Sequence, residues 1–80
     1  MQGAVTIRQA NGGDGADLRR LAQLEGRPAP RGATLIAYED GEARAALALA
    51  DGSALADPFH LTEDLVGLLR LRAAQAGAWA

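Results

Sequence analysis

The sequence contains no cysteine, no lysine and a single histidine. Without cysteine it can form no disulfide framework, thiol nucleophile or thiolate zinc site. His60 is the only imidazole, and one imidazole is too few for the usual nitrogen and sulfur ligand sets of a transition metal. We therefore predict no metal site, and the sequence offers no residue that we assign as catalytic or cofactor-binding.

An excess of charge and long apolar runs are also missing. Ten acidic and eight basic residues give a net charge of -2, and the arginines are spread along the chain. This distribution lacks the basic footprint of a nucleic-acid-binding protein. No segment approaches the ~18 continuous apolar residues of a membrane span, and "MQGAVTIRQ" is not a signal peptide. We expect a soluble, cytoplasmic protein that binds neither nucleic acid nor membrane.

The chain is predicted to form one small domain over residues 1–80, with a thin margin of stability that oligomerisation would improve. "AVTIRQA" alternates apolar and polar residues, as a half-buried strand does. The glycines that follow end this strand. Asp14 is predicted to cap the next helix, with Asp17 in a box-like position three residues later. Gly26 and Pro28 are typical stop signals for that helix.

"ATLIAYEDGEARAALALADGS" predicts two strands joined by a turn at Asp40 and Gly41. A second Asp-Gly pair, at Asp51 and Gly52, leads to the short strand "SALA". The order strand, helix, strand, strand, short strand, helix indicates the α+β class. We expect a mainly antiparallel sheet of three to four strands with helices packed on it. The fourth strand would leave an unpaired edge.

The last helix is predicted to begin at Thr62, whose hydroxyl can cap it, with Glu63 and Asp64 in its first turn. Its apolar residues span an arc of roughly 220°, which is wider than one sheet contact needs. Two interpretations stay open: an aliphatic rim of a small domain, or a second contact with another subunit. On the second interpretation, the interface residues are Leu65, Leu68, Leu69, Leu71 and Arg72.

His60, just before this helix, and Tyr38, in the hairpin, could take part in acid–base chemistry. Asp57 could orient His60 as a general base. We favour the simpler interpretation that both residues belong to the corner before Thr62, because no nucleophile or oxyanion site accompanies them. Tyr38 is interpreted as a half-buried aromatic residue of a strand rather than as an acid.

Two clusters of charge lie in predicted turns and loops. The acidic tip of the hairpin, Glu39, Asp40 and Glu42, could bind a cation weakly, and a solvated turn is the preferred interpretation. Arg27 and Arg31 lie in "RPAPRG", which is too rich in proline for regular structure. They could bind an anion, and solvated loop charge is preferred.

"VTIRQANGGDGADLRRLAQL" followed by "TLIAYEDGEARAALAL" resembles the first half of the GNAT acyltransferase superfamily. In that family a strand of the form T-I-R-x-A leads to a helix carrying D-x-x-x-L-x-x-L, and a hairpin with an acidic-Gly turn follows. The resemblance covers residues 4 to about 60 of this chain. It implies the N-terminal half of the GNAT fold.

The chain departs from the family at the acyl-CoA signature [RQ]-x-x-G-x-[GA], whose amides hold pyrophosphate at a helix N-terminus. Aligned on the Asp57-Pro58 corner, the three diagnostic positions are taken by Leu61, Asp64 and Val66. Two carboxylates, those of Glu63 and Asp64, stand where phosphate would bind and would repel it. The sequence after the last helix, "AGAWA", supplies no second half of the fold.

Two functions follow from these observations. The first is a noncatalytic GNAT-like half-domain that acts by self-association or by binding a protein partner, with no cofactor. The second is an acetyl-CoA-dependent N-acetyltransferase completed by dimerisation, in which two half-folds supply what one lacks. We favour the first, because the acidic residues at the helix end oppose phosphate binding.

Overall fold

The structure, a computed structural model, describes residues 4–59 and 62–75. The strands are β1 (Val5–Gln9), β2 (Thr34–Glu39), β3 (Glu42–Ala48) and β4 (Ala54–Ala56). The helices are α1 (Gly15–Glu25), which follows a 3-10 turn at Gly12–Asp14, and α2 (Glu63–Gln75). The strands form one sheet in the order β1-β2-β3-β4, and every neighbouring pair is antiparallel. The predicted α+β class is confirmed.

The hairpin between β2 and β3 turns where its sequence predicts. Asp40 and Gly41 both have positive φ, 53° and 81°, as the two central residues of a type I′ turn require. Further along, Ala37 pairs with Ala45 while Tyr38 pairs with Ala43. Arg44 is therefore the extra residue of a β-bulge, which bends β3 close to the end of β4.

The two helices cover opposite faces of the sheet. On one face, α1 packs Leu21 and Ala22 against a cluster that includes Ile36, Ala46 and Leu55. On the other face, α2 packs against a cluster with these buried members: Leu35, Ala37, Ala45, Leu47, Leu65, Leu69 and Ala73. Because side chains alternate along a strand, the central strands β2 and β3 supply both clusters. Their near-continuous apolar sequences fit this burial on two faces.

The predicted C-terminal end of α1 is confirmed, whereas its predicted N-terminal cap is not. Gly26 stops the helix in the left-handed conformation, with φ of 65°, and Arg27 N–H donates to the Ala22 carbonyl across 2.9 Å. This is the glycine stop that the sequence indicates. The predicted cap was wrong, because the Asp14 side chain makes no capping bond to α1. Asn11 instead caps the preceding 3-10 turn, by accepting from Gly13 N–H across 2.8 Å.

Candidate functional site

The Asp57 corner, at the end of β4, is tied into the fold by its carboxylate. One oxygen accepts from Arg44 Nη1 across 3.2 Å, and the other accepts from Phe59 N–H across 2.9 Å. The first contact balances a charge on the bulge of β3, and the second forms an Asx turn towards α2. Asp57 is buried. Its carboxylate therefore has a structural role, because it links the end of β4 to β3 and to the residues before α2. His60 and Leu61 lie outside the described residues. The predicted contact between Asp57 and His60 therefore lies outside them too.

The N-terminus of α2 begins directly after this corner. The Thr62 carbonyl accepts from Val66 N–H across 2.9 Å, and Thr62 is buried. Glu63 and Asp64 occupy the first turn, as predicted, and are exposed. Their carboxylates complement the positive end of the helix dipole. An anion approaching this helix end would meet two negative charges of the protein itself.

The predicted interface residues on α2 fall into two groups. Leu65 and Leu69 are 5% and 0% exposed and belong to the core under the sheet. Leu68 and Leu71 are 44% and 55% exposed, and Arg72 is exposed beside them. The wide apolar arc therefore combines a core stripe with a separate outward face. Whether that outward face binds a partner stays a prediction.

A second polar cluster, centred on Asp14, was not predicted from the sequence. Arg8 on β1 binds Asp14 with both terminal nitrogens, across 2.6 and 2.7 Å. Asn11 N–H and the Tyr38 hydroxyl also donate to the same carboxylate, across 2.8 and 2.7 Å. Tyr38 lies 2.9 Å from an Asp17 oxygen as well. These contacts join β1, the 3-10 turn, α1 and β2.

The contacts of this cluster fix the protonation states of its members. The paired Arg8 guanidinium, with help from the Asn11 amide, holds the pKa of Asp14 well below its usual range. Burial, followed by the two neighbouring carboxylates, raises the pKa of Tyr38 well above its ordinary value. Near neutral pH, Asp14 is thus an anion and Tyr38 a protonated donor. Both are suited to holding structure together and neither to exchanging protons near neutral pH.

These shifts predict a limited pH range of stability. The lowered pKa of Asp14 stabilises the fold above the unfolded pKa of about 4, and this contribution is lost as pH falls below it. The raised pKa of Tyr38 stabilises the fold below its ordinary pKa of about 10, and this contribution is lost as pH rises further. We expect the free energy of unfolding, measured by urea denaturation, to fall at both extremes.

Tyr38→Phe provides the control for the alkaline limb. The chain has one tyrosine and neither lysine nor cysteine, so Tyr38 is the only side chain that titrates near pH 10. The variant should lose roughly 1 kcal/mol at neutral pH, through the missing hydrogen bond, and should show no alkaline decline below the arginine range. An equal alkaline decline in both proteins would contradict this assignment.

A cleft of about 410 Å³ lies beside the loop after α1. Arg27 and Arg31 line it, and Asp51 and Ser53 contribute to its other wall. Arg31 is exposed, whereas Arg27 Nη1 is already bound to the Ala54 carbonyl across 2.6 Å. Asp51 accepts from Ser53 N–H across 2.9 Å, a bond that lowers the pKa of Asp51. The cleft therefore has mixed charge, as expected of solvated loop side chains.

The outer edge of β4 carries backbone groups that do not face β3. Asp57 N–H donates to the Arg44 carbonyl across 2.8 Å. Leu55, two residues earlier in the chain, pairs with β3, and its backbone groups face β3 in the same way, because these directions alternate along a strand. In an antiparallel ladder the residues between these positions turn their N–H and C=O groups the other way. Ala54 and Ala56 therefore present theirs to the outer edge.

Two side chains at the end of α1 occupy this outer edge. The Glu25 carboxylate accepts from Ala56 N–H, and Arg27 donates to the Ala54 carbonyl, each across 2.6 Å. Glu25 and Arg27 also contact each other, with 3.5 Å between Oε2 and Nη1. The edge that the sequence predicted to be unpaired is thus partly closed by the protein's own side chains. Covering an edge in this way opposes pairing with another strand.

Among residues 4–59 and 62–75, no three or more histidine, aspartate and glutamate side chains are grouped so that they could hold a metal ion. The acidic hairpin tip instead has a local structural role, because Asp40 Oδ1 accepts from Ala4 N–H across 3.2 Å. No helix in these same two segments is long and apolar enough to cross a membrane.

The sequence matches no family model, no curated protein and no solved structure.

Proposed function

We propose that the chain is a small noncatalytic GNAT-like half-domain that acts through association with a second copy of itself or with a larger protein. The observation that carries this proposal is the outward face of α2. One side of the helix is fully used against the sheet, and Leu68 and Leu71 remain exposed on another. Exposed leucines three residues apart on one side of a helix have the spacing by which helices dock on protein partners.

The GNAT-like part of the proposal is supported by contacts between the two motifs of the resemblance. Arg8 belongs to the T-I-R-x-A strand, and Asp14 is the first residue of D-x-x-x-L-x-x-L. The two are joined by a bidentate ion pair. Leu21, the last residue of the second motif, is completely buried under the sheet. In this chain the ion pair therefore holds the two motifs together, and Leu21 anchors the second motif in the core.

The noncatalytic part is supported by the helix end after β4. Glu63 and Asp64 are exposed at the N-terminus of α2, the position at which the GNAT enzymes that the sequence resembles bind pyrophosphate. A like charge at ~4 Å costs on the order of 1 kcal/mol in water, and a pyrophosphate would carry several such charges. Asp57 is committed to Arg44 and to the Phe59 amide. These contacts favour a structural corner over a ligand site.

Association through α2 is also favoured over strand addition at β4. The outer groups of Ala54 and Ala56 that a further strand would need are bound to Arg27 and Glu25. A partner strand would have to displace both side chains. The exposed leucines of α2 need no such rearrangement.

Light scattering across micromolar chain concentrations tests the proposal. We expect the mass of a dimer, with dissociation on dilution. A single-chain mass at every concentration would remove self-association and leave only the version with a larger protein partner.

Calorimetric titration with acetyl-CoA tests the noncatalytic assignment. We expect no heat of binding and no thermal shift at millimolar ligand, because the carboxylates of Glu63 and Asp64 repel the pyrophosphate. Saturable binding would contradict the proposal and favour the alternative, an N-acetyltransferase completed by dimerisation.

A further inference from the structure

The exposed side of α2 carries a second regular stripe next to the one that packs on the sheet. Asp64, Leu68, Leu71 and Gln75 follow one another at intervals of four, three and four residues, the spacing of a helix–helix seam. All four are exposed. The stripe therefore has two leucines at its centre and a polar residue at each end.

Charges of opposite sign lie at the two ends of α2, one on this stripe and one beside it. Asp64 lies at the N-terminal end, and Arg72 lies in the last turn of α2. Neither side chain forms a hydrogen bond or an ion pair within residues 4–59 and 62–75. With a rise of 1.5 Å per residue they are ~12 Å apart along the helix, too far to pair with each other. Both side chains are exposed, so their charges can meet those of a partner.

We propose that this stripe pairs with the same stripe of a second copy, with the two α2 helices antiparallel. A two-fold axis midway between Leu68 and Leu71 places each leucine against the other leucine of the second copy. The same axis brings each Asp64 within one helical turn of the second copy's Arg72. A two-fold dimer makes every such contact twice.

A parallel arrangement would not satisfy these charges. It would place Asp64 beside its own copy and Arg72 beside its own copy, and like charges oppose association. The antiparallel arrangement also aligns the two helix dipoles favourably, with each N-terminus near the other helix's C-terminus. This inference rests on the self-association proposed above and specifies its geometry.

Charge reversal separates the two arrangements. Asp64→Arg and Arg72→Asp each convert both attractive pairs of the antiparallel dimer into repulsive ones. We expect each to weaken dimerisation by about tenfold, given typical exposed ion-pair energies counted twice. The double variant D64R/R72D restores opposite charges across an antiparallel dimer and should return the dissociation constant to near the wild-type value.

A mixture of the two single variants gives a further readout. In their heterodimer one chain carries arginine at positions 64 and 72 and the other carries aspartate at both, so each charged contact across the antiparallel interface joins opposite charges. Mixing should therefore produce a dimer that neither variant forms well alone.

Glu63→Arg is the matched control for the charge reversals. It makes the same charge change in the same turn of α2, away from the stripe, and should leave dimerisation unchanged. Circular dichroism must show equal helicity in all variants, since the reversals also act on the helix dipole.

The outcomes distinguish this inference from the proposed function. Single variants that dimerise as the wild type does, or a double variant as weak as either single one, would overturn the antiparallel arrangement and leave self-association standing. A wild type that remains a single chain at millimolar concentration would overturn self-association and this arrangement together.

Discussion

Asp57→Ala is expected to lower the free energy of unfolding by about 3–5 kcal/mol. The Arg44 side chain is only 18% exposed and the Asp57 side chain 4%, so removing the carboxylate leaves a mostly buried cation without its counter-charge. Arg44 Nε is already buried without a hydrogen-bond partner. The Asx turn to Phe59 is lost in the same change. A domain of this size is typically stable by about 4–12 kcal/mol, so urea denaturation should show a barely folded protein.

A double variant shows whether the loss comes from the stranded charge. Arg44→Met combined with Asp57→Ala removes both partners and should recover part of the stability lost by Asp57→Ala alone. A double variant less stable than either single variant would contradict the ion-pair explanation. It would indicate that the corner depends on the shape of these side chains instead.

Leu69→Ala is expected to cost about 2–5 kcal/mol. Leu69 is completely buried within the cluster between α2 and the sheet. Truncation removes apolar surface from that cluster and leaves a cavity that a rigid sheet cannot fill. The unfolding midpoint in urea should fall by a large fraction of its wild-type value.

Leu68→Ala is the matched control, because it makes the same truncation one residue earlier. Leu68 is 44% exposed and is not a member of the buried cluster. At chain concentrations low enough to keep the protein a single chain, the change should alter stability by only about 0.5 kcal/mol. Equal losses for the two variants would contradict the division of α2 into a core stripe and an outward face.

The local elements follow from the sequence because their signals are local. The type I′ turn at Asp40 and Gly41 needs two residues that tolerate positive φ. The end of α1 at Gly26 needs one. Each signal lies within a few residues of the structure it determines.

The placement of the helices could not be predicted in the same way. Alternation along β2 and β3 shows that both faces are apolar, but it does not say which helix covers which face. In the structure, α1 lies over Ile36 and α2 over Leu35. This assignment depends on the connections between distant elements, for which the sequence has no short-range signal.

The polar clusters were missed for a related reason. Arg8 lies near Tyr38 only because β1 pairs with β2 in the register that sets Thr6 opposite Tyr38. A long connection separates these two strands in the sequence. Glu25 reaches the Ala56 amide across 31 positions of sequence. A charged residue at a helix end is ordinary, and its partner becomes visible only when the sheet is assembled.

The apolar arc of α2 shows which part of a helix surface its periodicity can predict. The helical arc predicts which leucines lie on the apolar side of α2. It does not separate the leucines that pack in the core from those that are exposed. The structure separates them, because Leu65 and Leu69 contact the cluster under the sheet whereas Leu68 and Leu71 are exposed. The binding surface is accordingly proposed on fewer residues than the sequence indicated.

The central proposal is that the exposed leucines of α2 form an association surface. Sedimentation equilibrium of the wild type beside the variant Leu68→Glu/Leu71→Glu tests it most directly. We predict a reversible dimer for the wild type and a single chain for the variant, with unchanged helicity by circular dichroism. A wild type that stays a single chain would contradict self-association through this surface, and a variant that associates as strongly as the wild type would contradict the role of these leucines in it.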